Sequence, residues 1–250
     1  MRGHYLHIAG ALAAVLVSAS IAQAAEVKLI SVGGVKGALD PIIAEYTKQT
    51  GNTVKYTVGS PLAVAQKLAG GEVFDVVVQS SPAMADFAKQ GGLKSDAAKV
   101  ARGGIGMAVA KEATAPDIST PDAFKQALAN AKSIAMTDTA MPNGSGGLTQ
   151  AIFEKAGVVD VVKPKLKVVG LDPGQEQIAK GEIEIGFFNN SEIRPFVKYA
   201  GSVPAPLQQY TVYEAALSAK APPSDAAAAL LKVIESSDAQ WTAARLEPQH

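Results

Sequence analysis

Small hydroxyl, amide and glycine residues gather at the ends of apolar runs in this chain, and their types point to the recognition of an anion. Ser31, Gly33, Gly34 and Lys36 lie in LISVGGVKGAL; Gly59 and Ser60 precede Pro61; Gln79, Ser80 and Ser81 precede Pro82. Ser145, Gly146 and Gly147 close MPNGSGG, and Asn189, Asn190 and Ser191 follow EIEIGFF. Unpaired backbone amides at a helix start, with the positive end of the helix dipole behind them, favour negative charge. The loops 31–37, 59–61, 79–82, 138–147 and 189–192 would enclose a small anion if the fold brings them together. Each also has a structural role open to it. GGVKGA matches neither a dinucleotide fingerprint nor a phosphate loop, so its glycines can serve only to turn the chain. PNGSGG can be simple turn chemistry, Asn190 or Ser191 can cap a short helix, Lys36 can be a solvated lysine, and Glu192 can pair with Arg194.

What is missing narrows the chemistry further. There is no cysteine, and the three histidines are His4, His7 and His250. His4 and His7 fall in a leader-like segment: Arg2, then IAGALAAVLVSASIA, then Ala22-Gln23-Ala24 as a small-residue cleavage signal, which predicts an exported chain starting at Ala25. The apolar run is too short to span a bilayer, no lipid-bearing cysteine follows it, and a Gram-negative periplasm is the expected destination. The body is then without imidazole or thiol, apart from the terminal His250, which rules out zinc sites built on them, Ser-His-Asp triads and cysteine nucleophiles. Any catalysis must use Asp, Glu, Lys, Tyr or Ser. Lys plus Arg and Asp plus Glu both number 23, so no electrostatic footprint for nucleic acid or an anionic membrane is present. The expected partner is a small anionic ligand, and no cofactor is expected.

The elements that must position these loops follow one scheme. EVKLISV is a strand, and Leu39, Ile42, Ile43 and Tyr46 then recur at helical spacing until Gly51. TVKYTVGS leads through Pro61 into LAVAQKLAGG, and FDVVVQSS through Pro82 into AMADFAKQGG; proline in the first turn and glycine after the last is the expected punctuation. KSIAMTD before LTQAIFEKAGV, and EIEIGFF before NNSEI, repeat the step. With 250 residues, 48% of them hydrophobic, the chain can fill one large core or two small ones. This alternation predicts an α/β protein of mostly parallel sheet flanked by helices. GGIGMAVAKEA and LQQYTVYEAALSAK break the pattern and look like crossings between two lobes, 25–105 plus 210–250 and 106–209. A final helix, PSDAAAALLKVIESSDAQWTAAR, is expected to pack on the first lobe.

VKLISVGGVKGALDPIIAEYTKQTG, GSPLAVAQKLAGGEVFDVVV, AKSIAMTDTAMPNGSGG, GEIEIGF and YTVYEAAL together resemble the periplasmic substrate-binding proteins of ABC transporters, type II fold, in the branch that contains molybdate-binding proteins. The resemblance implies two hinged lobes closing on a solute, delivery to an inner-membrane permease, and a monomer. In molybdate binders a first-loop serine bonds the oxyanion where this chain has Gly34; the second-loop serine matches Ser60; and a tyrosine is replaced by Asn189. Molybdate is therefore one candidate among small anions. Chains with similar SVGGVKGAL starts also include periplasmic aconitate isomerases, which shift a proton across an allylic system without metal or organic cofactor. That alternative needs a base beside a carboxylate and an acid at the other carbon, for which Lys36, Asp138, Glu176, Glu192 and Tyr213 are available and Lys36 and Glu192 are the preferred pair. Solute capture is the first expectation and isomerisation the alternative. The expected ligand contacts are Gly33, Gly34, Lys36, Ser60, Ser80, Ser145, Gly146, Asn189 and Asn190. A valine at Gly146 is expected to weaken binding with little effect on the fold.

Overall fold

The computed structural model describes residues 24–140 and 144–249. The leader assigned to 1–24 lies, except for Ala24, outside them. In chain order the elements are β1 (Glu26–Val32), a 3-10 turn (Gly33–Val35), α1 (Lys36–Thr50), β2 (Thr53–Gly59), α2 (Pro61–Ala69), β3 (Val76–Ser80), α3 (Ser81–Lys89) and β4 (Ala98–Ala110). There follow α4 (Pro121–Asn130), β5 (Ile134–Met136), α5 (Ser145–Ala156), α6 (Val159–Val162), β6 (Leu166–Val168), α7 (Leu171–Ala179) and β7 (Ile185–Asn189). A 3-10 turn (Asn190–Glu192), β8 (Val197–Ser202), β9 (Tyr210–Leu217), α8 (Asp225–Glu235), α9 (Asp238–Ala243) and β10 (Glu247–Pro248) complete the described chain.

Local sequence explains the punctuation. Ser60, Thr120 and Ser224 each accept a hydrogen bond from the amide three residues on, capping α2, α4 and α8. Such caps contribute about 1 kcal/mol each. α1 and α5 end on Gly51 and Gly157 in the left-handed conformation, φ 74° and 68°, which a glycine adopts without a Cβ clash.

The strands form one curled sheet in the order β2-β1-β3-β9-β4-β7-β5-β6, with β8 and β10 also paired to β4. β1, β2 and β3 are parallel to one another, as are β5, β6 and β7, and the two parallel groups are joined through antiparallel β9 and β4. Long β4 belongs to both halves: residues 98–104 pair with β9, and 105–110 pair with β7 and β8. At the changeover the Gln208 side chain accepts from the Ile105 amide (2.9 Å) and donates to the Ile105 carbonyl (2.8 Å), taking the place of a strand neighbour.

The hydrophobic cores divide the same way. One holds Leu29, Ile42, Tyr46, Val77, Tyr213 and Trp241; the others, around Phe124, Phe153 and Phe187 and around Ile178 and Phe188, are drawn from the middle of the chain. The architecture is the expected two-lobed α/β fold. The C-terminal helix departs from expectation, because it breaks into α8 and α9. Ser236 and Ser237 turn their hydroxyls back onto the carbonyls of Lys232 and Val233 and end α8. This folds α9 over so that Trp241 is fully buried and its indole N–H donates to the Ile234 carbonyl at 3.0 Å.

Candidate functional site

A cleft of about 830 Å³ opens between the lobes, at the carboxyl ends of the parallel strands. That is where open α/β sheets place their ligands. The starts of α2, α3, α5 and α7 all reach it, through Ser60, Ser80, Ser145 and Gly170, and so do the turns that begin at Gly33 and after Asn189. Among the described residues that line it there is no Lys, Arg or His; the charged ones are Asp86, Asp138 and Glu192. What the cleft offers to an anion is therefore backbone amides and helix starts rather than cationic side chains.

Of the expected ligand contacts, Gly33, Gly34, Ser60, Ser80, Ser145 and Asn189 line the cleft. The hydroxyls differ in what is left to them. Ser60 is engaged in capping, accepting from Ala63 N at 3.2 Å, whereas Ser80 makes no capping bond to α3. Ser145 Oγ shares a hydrogen bond of 3.2 Å with Thr137 Oγ1. Gln79 Oε1 and Asn189 Oδ1 are buried without a hydrogen-bond partner, which leaves both amide oxygens free to accept from a donor group of a ligand.

Three expected contacts sit elsewhere. The glycine turn rotates Lys36 to the exposed face of α1, where its ammonium pairs with Asp40 one turn along. Asn190 is turned away from the cleft and donates to Ser202 Oγ at 2.9 Å. Gly146 packs the start of α5 onto the backbone after β5: a Cβ there would lie 2.2 Å from the Asp138 carbonyl oxygen and 2.3 Å from that of Thr137. A valine at this position would break the fold locally, contrary to expectation. Among the other residues singled out, Ser31 is held by Tyr56 (2.6 Å), Ser81 by Glu214 (2.8 Å), and Glu176 is exposed on α7.

Two titratable side chains of the cleft, Glu192 and Tyr213, meet at the glycine pair. A Cβ on Gly33 would be 3.5 Å from Glu192 Oε1, and one on Gly34 would be 2.5 Å from the Tyr213 hydroxyl. The two glycines thus let a carboxyl group and a phenol approach the turn from opposite lobes. A serine at position 34 would collide with Tyr213. Glu192 Oε2 accepts from Asn189 Nδ2 at 2.7 Å. Burial pushes the Glu192 carboxyl above the usual carboxylate range, against the opposing pull of the Asn189 hydrogen bond and of Arg194. Burial, and then the Glu192 charge, push the buried Tyr213 hydroxyl well above the usual tyrosine range, while its hydrogen bond with Thr211 acts the other way. The phenol therefore stays protonated at neutral pH and can only donate or accept hydrogen bonds.

Sequence reasoning passed over the second-lobe loop Val169–Leu171, although GLDPGQEQIAKG repeats the strand-to-helix step seen four times elsewhere. It also passed over an apolar wall from α2 and α3, made of Leu62, Ala65, Ala83 and Phe87, which helical spacing alone does not separate from core.

Comparison with known proteins agrees with this geometry. The chain is 32% identical over 222 residues to an aconitate isomerase from a Pseudomonas species, covering 84% of this chain and 82% of that protein. Its fold is similar to a substrate-binding domain assigned to a molybdenum ABC transporter of Clostridium difficile, with a TM-score of 0.77, 15% identity, 91% of this chain and 100% of that one. It is similar too to the periplasmic molybdate-binding protein of Azotobacter vinelandii, with a TM-score of 0.71, 19% identity, and 90% and 100% of the two chains. The model of the bacterial extracellular solute-binding protein family matches residues 27–245, which includes both lobes and every cleft loop, and the chain belongs to that family.

Proposed function

We propose that the cleft takes a small di- or tricarboxylate and that the protein interconverts trans- and cis-aconitate by a cofactor-independent allylic proton shift. The observation that carries this reading is Glu192: of the three carboxyl groups lining the cleft, Asp86, Asp138 and Glu192, it is the one whose pKa burial raises, and it is steered by Asn189 and lies beside Tyr213 at the glycine turn. When ionised, Glu192 is the kind of group needed to take a proton from a methylene carbon, a role that a tetrahedral oxyanion would leave unused. The pull of burial toward neutral pH improves it as a base. The aconitate isomerase relative supports the same assignment.

In the proposed reaction Glu192 removes a proton from the methylene carbon, and the electron pair spreads over the allylic system into the adjoining carboxylate. The protonated Tyr213 hydroxyl donates to that developing charge, as a preorganised donor should. Glu192 then returns the proton to the other end of the system, so the double bond moves and the composition is unchanged. The carboxylates of the substrate rest on the helix starts at Ser60, Ser80 and Ser145. The lobes, 25–105 plus 210–250 and 106–209, close through the shared strand β4 and exclude water. Lys36 has no part in this scheme.

Capture without conversion is the second reading, and one observation favours it: burial raises the pKa of Glu192, and in its protonated form the carboxyl group can hold an anion simply as a hydrogen-bond donor. In that case the exported monomer, starting at Ala25, would deliver a small anion to an ABC permease. One experiment separates the readings. Purified protein is incubated with trans-aconitate in deuterated water and followed by proton NMR. Appearance of cis-aconitate with deuterium at the allylic carbon is expected. Binding without either change would replace the isomerase by the carrier.

A further inference from the structure

We infer that Arg245, at the far end of the chain, is a positioning residue for the turn that carries Glu192 and acts on it across the boundary between the lobes. The inference rests on the reading of Glu192 as the proton-transfer group.

The first observation is a backbone conformation. α9 ends with the Arg245 amide donating to the Thr242 carbonyl (2.9 Å) and the Leu246 amide donating to that of Trp241 (3.0 Å). This is the paired stop that requires a left-handed residue, usually glycine, just after the helix. Arg245 fills it with φ 60° and is the one non-glycine residue of positive φ among the described residues. At other left-handed positions near helix ends the same chain uses Gly51, Gly71, Gly91, Gly157 and Gly181. An arginine here accepts a conformation unfavourable to any residue with a Cβ, so its side chain is the place to look for the compensation.

That side chain leaves its own lobe. Trp241 and Leu246 on either side of it are anchored in the first-lobe core. Arg245 Nη1 donates to the carbonyls of Asn190 and Ile193, both at 3.2 Å, which bracket Glu192 in the second lobe. The guanidinium lies 4.8 Å over the Tyr199 ring. Tyr199 in turn shares a 2.8 Å hydrogen bond with Ser202, the residue that receives Asn190. From within the second lobe, Gln175 holds the remaining groups of the turn: its Nε2 donates to the Glu192 carbonyl (3.0 Å) and its Oε1 accepts from the Arg194 amide (2.7 Å). The turn is thus fixed from both lobes: the glycine turn at Gly33 packs against Glu192, and the arginine supplies hydrogen bonds to it from the lobe that carries Tyr213. A change in the angle between the lobes acts on the Arg245 bonds and, through the two carbonyls, on the direction of the carboxyl group. Lobe closure and alignment of the base are in this way one event.

The test uses the full chain with Arg245→Gly, which removes the side chain and also suits the left-handed position, and Arg245→Lys, which restores a cation. In Arg245→Gly, kcat for trans-aconitate should fall toward about a hundredfold, the scale of a reacting group misplaced by about 1 Å, with KM changed less than about twofold. Hydrogen exchange at amides 190–194 of the ligand-free protein should quicken. Arg245→Lys should recover part of both effects. Wild-type kcat together with wild-type exchange at 190–194 in Arg245→Gly overturns the inference. If wild-type protein itself shows no isomerisation, the functional reading fails on its own account. Exchange at 190–194 and affinity for trans-aconitate then decide the role of Arg245, and an Arg245→Gly protein unchanged in both overturns it.

Discussion

The two walls of the cleft are made from the same part, a strand running into a helix start, yet they carry different chemistry. The first-lobe wall offers Ser60 and Ser80 at the starts of α2 and α3, backed by Leu62 and Phe87. The second-lobe wall offers Ser145 at the start of α5 and then, at the end of β7, Asn189 and Glu192. Helix starts, the feature that favours an anion, thus line both sides. The carboxyl group proposed as the base lies on the second wall, and the phenol beside it and the two glycines small enough to admit both come from the first. Helix starts recur on both walls, whereas the meeting of Glu192, Tyr213 and the glycine pair brings together residues from three places in the chain.

The largest expected effect breaks the second wall alone. Glu192→Gln should lower isomerisation about a thousandfold, within the usual range for loss of a general base, while trans-aconitate still binds in calorimetry. The pH dependence has a definite sign. Folded Glu192 keeps its proton to a higher pH than its ordinary 4.5, so wild-type kcat should rise with pH through that raised value. Stability runs the other way: the favourable contribution of the neutral carboxyl is complete below 4.5 and is lost as pH rises through the folded value. Glu192→Gln should therefore melt above wild type at neutral pH, with the gap closing as pH falls toward 4.5. A uniform gap at all pH values would mean that burial does not hold the proton.

Next in size is Gly146→Val, which drives a side chain into the carbonyls of Thr137 and Asp138. It should cost more than about 3 kcal/mol in urea unfolding, in the range of severe core strain; unchanged stability would remove Gly146 from the frame of the second wall. Tyr213→Phe removes the first lobe's donor and should lower kcat about a hundredfold with little change in KM. A proportional rise in KM instead would make Tyr213 a binding residue only. Gly34→Ser should cost about 1–3 kcal/mol by overpacking against the Tyr213 hydroxyl, and Tyr213→Phe in the same chain should recover part of it, which a double-mutant cycle reads directly. The smallest change is Ser80→Ala, where loss of one neutral donor should weaken trans-aconitate binding by about 1 kcal/mol and leave the isomerisation step intact.

The first wall was more legible in the sequence than the second, and the reason is physical. Pro61 and Pro82 in the first helical turn mark where α2 and α3 begin, so Ser60 and Ser80 could be placed on the cleft from local rules. Lys36 could not. A single 3-10 turn at Gly33–Val35 sets the phase of α1, and that phase sends the ammonium outward to Asp40. Glu192 was visible as a candidate beside Asn189, but the rise of its pKa comes from burial between lobes, which no local pattern encodes. Gly34 looked like a lost serine; it is the space that Tyr213 fills, and the two are far apart in sequence and adjacent only in the fold. Arg245 had no signal at all, since an arginine after a helix is unremarkable until its φ is known.

The strand order also sets a schedule for making the protein. β9 lies between β3 and β4 in the sheet, yet it is translated after every residue of the second-lobe cores. Until Tyr210–Leu217 emerges, the second lobe can complete itself from contiguous chain, while β3, with Val76, Val77 and Val78, has one edge without a partner. An unpaired apolar strand edge is the surface on which chains add to one another, and its long-range closure is slow. A chain cut before Tyr210 would lack β9 and leave that edge of β3 without its partner.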